Sequence, residues 1–149
     1  MAPANTQFAI AVHIMAVLGC ARTAPPDEEK PPITSAYLAS SVNATPSFIR
    51  RVLAVLAKAG LVKTVRGASG SCSLQKPPEQ ITLLDIYRAV DAPKVFALHA
   101  YPPEERCSVS CRMNKVMNAL LTDAQKSMEQ SLAEKTLANF IAEIKTPKP

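Results

Sequence analysis

Apolar positions along this chain recur mostly every three or four residues, the spacing of helices, and clusters of proline and glycine punctuate them. "FAIAVHIMAVLGCA", Phe8 to Ala21, is apolar on nearly every side and predicts a buried first helix. Gly19 and the acidic stretch "PPDEEKPP", Pro25 to Pro32, are expected to end it. Ala36, Leu38, Ala39 and Val42 of "TSAYLASSV" form a short amphipathic pattern, and "NAT" reads as a turn. Thr45 suits an N-cap, and Pro46 suits the first helical position, where its missing N–H costs nothing. In the third helix Ile49, Val52, Leu53 and Leu56 recur at i, i+3, i+4 and i+7, a stripe for the core. At 100° per residue Ser47, Arg50, Arg51, Ala54 and Lys58 fall on the opposite face.

The periodicity changes after Gly60, the expected stop of that helix. "LVKTVRG" and "SCSL" read as short strands around the turn "GASG", a hairpin with Arg66 at its basic tip. Thr82 caps a fourth helix with Leu83, Ile86, Tyr87 and Val90 inward and Asp85 placed for a capping box. From Pro93 to Arg106 the pattern dissolves. A long helix is then expected from about Cys107 to Glu134, with Val109, Met113, Val116, Leu120, Ala124, Met128 and Leu132 spaced by three or four. Such a stripe on a helix appended to a small domain suits a partner chain, or else folds back on its own domain. Thr136 caps a last helix carrying Leu137, Phe140, Ile141 and Ile144.

The order of these elements describes a mostly α protein: a winged helix-turn-helix with a small β-hairpin wing and a long dimerisation helix. The expected divisions are a DNA-binding domain over 1–92, a linker over 93–106, and a dimerisation and C-terminal segment over 107–149.

Charge sharpens this picture. Of the 149 residues, those from Asn43 to Pro78 include Arg50, Arg51, Lys58, Lys63, Arg66 and Lys76 but no Asp or Glu. A cation-only stretch on a helix and hairpin is an electrostatic footprint for a polyanion. A helix fits the major groove of duplex DNA, where Arg50 or Arg51 can pair with guanine or phosphate. Thr45 and Ser47 sit at the helix N-terminus, suited to phosphate or a base edge, and Lys58 adds a cation further along. Arg66 suits the adjacent minor groove. Absent tryptophan and seven Phe and Tyr in all argue against a single-strand binder working by base stacking. A protein–protein module on the same fold is the reading from another class, and it predicts no affinity for duplex DNA. No glycine-rich phosphate loop or paired catalytic residues suggest an enzyme. The longest apolar run is too short to span a bilayer and "MAPANTQ" lacks the basic start of a secretory signal, so a cytoplasmic protein is expected.

"SFIRRVLAVLAKAGLVKTVRGASGS" followed by "LQKPPEQITLLDIYRAVD" closely resembles the Rrf2 family of bacterial winged-helix regulators, which includes IscR, NsrR and CymR. The resemblance implies a homodimer with crossed long helices on palindromic operator DNA, and a repressor is expected rather than an activator. It implies base reading by Ser47, Arg50 and Arg51 and a wing contact by Arg66. The wing departs from the family's glycine-rich pattern with an aromatic, reading "GASGSCS".

Many members of that family hold an iron–sulfur cluster with three cysteines before the long helix. The equivalent segment here, "HAYPPEERCSVSC", offers Cys107 and Cys111, with His99 upstream. Clusters take four ligands, mostly thiolates, so no cofactor is required, while a cluster or a metal on His99, Cys107 and Cys111 stays open as an alternative. Redox sensing by Cys107 and Cys111 is the expectation, because Arg106, Arg112 and a helix N-terminus are the surroundings that make thiols reactive. Cys20 and His13 are expected in the core, and Cys72 on an exposed wing.

Overall fold

The computed structural model describes residues 6–24, 32–65, 70–92 and 94–146. The first helix, α1 (Gln7–Thr23), is the spine of the fold: α2 (Ser35–Val42), α3 (Pro46–Lys58), α4 (Leu83–Ala89), α6 (Leu137–Lys145) and the second strand, Cys72–Leu74, all pack on it. Its Ala11, Val12, Ile14, Met15, Ala16 and Leu18 are buried, which is why the run is apolar almost all round. Gly19 does not end α1 but lies inside it, buried. A Cβ there would collide with Ile141 of the last helix, so glycine serves close packing rather than termination. His13 is likewise exposed, not core, and its Nε2 lies 3.1 Å from Ser41 Oγ, tying α1 to α2. Cys20 is half-buried against the core.

The second helix, α2 (Ser35–Val42), is started by Thr34, whose hydroxyl accepts from the Tyr37 amide at 3.1 Å. Asn43 ends it at φ 63°, a left-handed turn that asparagine tolerates, and the Ala44 amide returns to Ala39 O at 2.9 Å. The third helix, α3 (Pro46–Lys58), follows at once, capped by Thr45 and stopped by Gly60 at φ 77°. Ile49, Val52, Leu53 and Leu56 are buried as the spacing predicts.

The wing is the antiparallel pair β1 (Val62–Thr64) and β2 (Cys72–Leu74), with Val62 opposite Leu74 and Thr64 opposite Cys72. Val65 N–H donates to Ser71 O at 2.9 Å, and Arg66 at the tip lies outside the described residues. The expectation of an exposed Cys72 is overturned: its side chain is buried, and desolvation pushes the thiol pKa up. The β-strand alternation that exposes Ser73 turns Cys72 and Leu74 inward. Two contacts brace the wing against the domain. Cys72 N–H donates to Ile33 O at 2.7 Å, and Arg22 Nη1 donates to Leu74 O at 3.1 Å.

The fourth helix, α4 (Leu83–Ala89), has the expected capping box: Asp85 N–H to Thr82 Oγ1 at 3.0 Å and Thr82 N–H to Asp85 Oδ2 at 2.9 Å. The long helix, α5 (Ser108–Glu134), begins one residue later than expected, because Cys107 is its N-cap. The last helix, α6 (Leu137–Lys145), returns to α1, burying Leu137 and Ile141 in the same core. Backbone bonds Leu83 N–H to Lys135 O at 2.9 Å and Leu137 N–H to Ile81 O at 2.7 Å stitch the return. The C-terminal helix α6 thus shares one core with α1.

The stripe on α5 divides in two. Val109, Met113, Val116 and Leu120 are exposed by 69%, 39%, 64% and 58%, while Met128 and Leu132 are half-buried, Leu132 against the core. Spacing explains the division. Steps of four, three and four keep Val109 to Leu120 on one side, whereas repeated steps of four after Leu120 rotate the line about 40° each time. The same row of apolar residues thus turns from solvent onto its own domain.

Candidate nucleic-acid interface

The N-terminal end of α3 gathers Thr45, Ser47, Arg50 and Arg51 on an exposed surface. Local chemistry fixes this end. Thr45 Oγ1 accepts from the Phe48 amide at 3.4 Å and lies 3.4 Å from Ser47 Oγ, and Pro46 occupies the first helical position. Behind them the buried stripe of α3 clamps the helix to the core, so the cations are presented by a rigid element. The Arg51 guanidinium lies 5.4 Å from the centroid of the half-buried Phe48 ring, a cation–π contact that orients it. Phe48 was not singled out from the sequence; only the i, i+3 spacing of an aromatic and an arginine could have signalled it.

Lys58 shares this face but not this end. Eleven residues of helix rise separate it from Ser47, about 16 Å, so it does not converge with the arginines. It lies in the last turn of α3, where a cation also suits the helix dipole. Lys63 on β1 is exposed as well and extends the basic surface toward the wing.

The other candidate residues lie apart from this surface in the sequence, where the linker meets α5. Cys107 and Cys111 are exposed at the start of α5. The Cys107 thiol accepts the Ser110 amide at 3.4 Å as the cap of α5, and Cys111 N–H donates to Cys107 O at 3.0 Å. Cys111 Sγ points at the Glu104 and Glu105 carbonyls, 3.6 Å from each. His99 stacks in a tilted contact with Tyr101, their ring centroids 5.8 Å apart.

Residues 4–143 match the Rrf2 family, described as iron-dependent transcriptional regulators. The chain belongs to the Rrf2 family. It is similar to YwnA of Bacillus subtilis, named as an HTH-type transcriptional regulator, at 33% identity over 92% of this chain and 96% of that one. Among solved structures it is similar in fold to T. potens IscR, with TM-score 0.67, 23% identity, and 99% and 93% of the two chains covered. Similar too is CymR, the global cysteine regulator of B. subtilis, with TM-score 0.64, 22% identity, and 96% and 98% covered. This Rrf2 protein is therefore a DNA-binding transcriptional regulator on a winged-helix fold and not an enzyme. Among the described residues, no helix is long and apolar enough to cross a membrane.

The family's description raises the question of iron, and the donor set answers it. Among the described residues, no three His, Cys, Asp or Glu side chains come together to hold a metal. His99, Cys107 and Cys111 are thus not assembled into a site. Two thiols engaged at a helix start fall short of the four ligands a cluster needs. Among the described residues, the donors present do not fit a cluster.

Proposed function

We propose that this protein is a homodimeric repressor of palindromic operator DNA whose affinity is set by the oxidation state of Cys107 and Cys111. The observation that carries the reading is the rigid, exposed N-terminal end of α3, with Ser47, Arg50 and Arg51 on the face opposite its buried stripe. In this reading Ser47, Arg50 and Arg51 enter the major groove, Thr45 and Lys58 hold phosphates, and Arg66 enters the minor groove. The exposed half of the α5 stripe joins two copies and spaces the two reading helices over successive turns of the duplex. As a repressor it acts in the cytoplasm, with the chromosome.

The redox part rests on the cap. Cys107 is the extended N-cap of α5 and Cys111 stands one turn on, its N–H donating to the Cys107 carbonyl, with both thiols exposed. Bonding the two thiols withdraws the Cys107 thiol from the Ser110 amide and so removes the cap of the first turn of α5. With hydrogen peroxide as oxidant, two thiols give one S–S bond and two waters. The helix that spaces the reading heads then starts differently, which is how a local bond reaches the DNA.

Fluorescence anisotropy with DNA from upstream of the protein's own gene tests both parts at one fixed salt concentration. Reduced protein is expected to bind this DNA in preference to random sequence, and mildly oxidised protein to bind more weakly. A Cys107→Ser, Cys111→Ser double variant that responds to peroxide as the wild type does removes the thiols from the mechanism. Equal, weak binding to all DNA removes the operator.

A further inference from the structure

A cleft of about 480 Å³ lies between the linker and α5, away from both the α3 surface and the cysteines. Its size is that of small-molecule sites, which run from about 300 to 1,000 Å³. Lys94 stands on the linker wall, Lys126 and Glu129 on the helix wall, with Leu121 and Leu98 as an apolar lining and Phe96, 62% exposed, at the edge. A second, smaller void of about 180 Å³ shares Phe96, Leu121 and Gln125 with the first. The Phe96 ring thus borders space on more than one side and has room to move.

The wall that matters is Gln125. Its Nε2 donates to the hydroxyl of the buried Tyr87 on α4 at 3.0 Å, and its Oε1 accepts the Val95 amide of the linker at 3.4 Å. Tyr87 in turn meets Phe8 of α1 edge-on, with centroids 5.5 Å apart. One side chain in the cleft therefore joins α5, the linker, α4 and, through Tyr87, the spine of the DNA-binding domain.

We propose that this cleft is an effector site for a small amphipathic zwitterion, an apolar amino acid or dipeptide. The two lysines suit a carboxylate, Glu129 an ammonium group, and Leu121, Leu98 and Phe96 an apolar side chain. Dimerisation through the exposed stripe leaves the cleft open, because Leu121, Gln125 and Glu129 lie about 120–200° around α5 from Val109. Ligand held against Gln125 shifts the linker against α4, and so the angle between the DNA-binding domain and α5. That regulatory consequence rests on the operator-binding reading above, while occupancy of the cleft does not.

Isothermal titration calorimetry of the full-length protein with L-leucine, L-phenylalanine and leucylleucine tests the site. At least one is expected to bind saturably, with affinity falling tenfold or more in Lys126→Glu and in Leu121→Arg, each first shown to be folded by circular dichroism. Blocking the ligand's amino group by acetylation is expected to weaken binding as well. No saturable binding by any of the three overturns the proposal, as does binding that both variants leave unchanged. Operator anisotropy with and without ligand separates the two readings. A severalfold change in operator affinity supports the effector role, and tight operator binding indifferent to bound ligand overturns it. Ligand binding by a protein that binds no operator keeps the site and removes the regulator reading.

Discussion

Arg50 and Arg51 are neighbours in sequence with different settings. Arg51 leans on the Phe48 ring, whereas Arg50 stands exposed on the other flank of the same helix face. If Arg50 reads a base, Arg50→Ala costs about 1–3 kcal/mol and relaxes preference at one base pair per half-site. Competition titrations with single-base operator variants check this, and an equal loss on every sequence marks a phosphate contact instead. Gly19 offers a second test at this scale. Gly19→Ala places a methyl group against Ile141 and is expected to destabilise the fold by about 1–3 kcal/mol, read as a lower urea midpoint. The helix-propensity gain of alanine, about 1 kcal/mol, works in the opposite direction, so an unchanged midpoint means that the clash only offsets this gain, and a raised midpoint means that Ile141 gives way freely. Cys72 behaves differently from the exposed cysteines for a reason also local to one residue. Its buried thiol holds its proton above the ordinary range, so the unfolded chain ionises first and this contribution to stability fades as pH rises past about 9.

Among the elements, α5 carries the largest unsettled surface. Its exposed Val109, Val116 and Leu120 follow coiled-coil spacing only as far as Leu120, and beyond it the row turns onto the chain's own core. Val116→Asp is therefore expected to shift the protein from dimer to monomer in sedimentation velocity, with helix content retained because the position is exposed. Operator affinity is expected to fall with it, since a monomer engages a single half-site. A dimer that survives this change places the interface on another face. The start of the same helix is capped by a thiol where serine or threonine is common, a choice that leaves the cap open to oxidation.

Across the whole molecule, the basic surface runs from α3 to β1 and is free of acids in sequence from Asn43 to Pro78. Two or three phosphate contacts per half-site predict that the logarithm of operator affinity falls with the logarithm of salt concentration with a slope of roughly −4 to −5. Titration between 50 and 200 mM salt, round numbers chosen to span the steep range, measures it. A slope near zero is what the protein-interaction module predicts. The packing of α6 on α1 matters here too, because it anchors the C-terminal end of α5 to the domain that carries α3.

The sequence by itself determined the elements. Periodicity placed Ile49, Val52, Leu53 and Leu56 inward and the arginines outward, and the capping residues Thr45, Thr82 and Thr136 marked helix starts, because these rules act within a few residues of chain. Tertiary structure decided whatever depended on a distant neighbour. Gly19 reads as a stop until Ile141 is seen against it, and His13 and Cys72 exchange their expected places because burial depends on what packs over a helix or strand. The row from Val109 to Leu132 reads as one stripe until the fold supplies a core for only one end of it. Gln125 carries no local signal at all, since its partners Tyr87 and Val95 lie 38 and 30 residues away. Spacing along a chain fixes direction around a helix axis, and only the packing of helices fixes what stands in that direction.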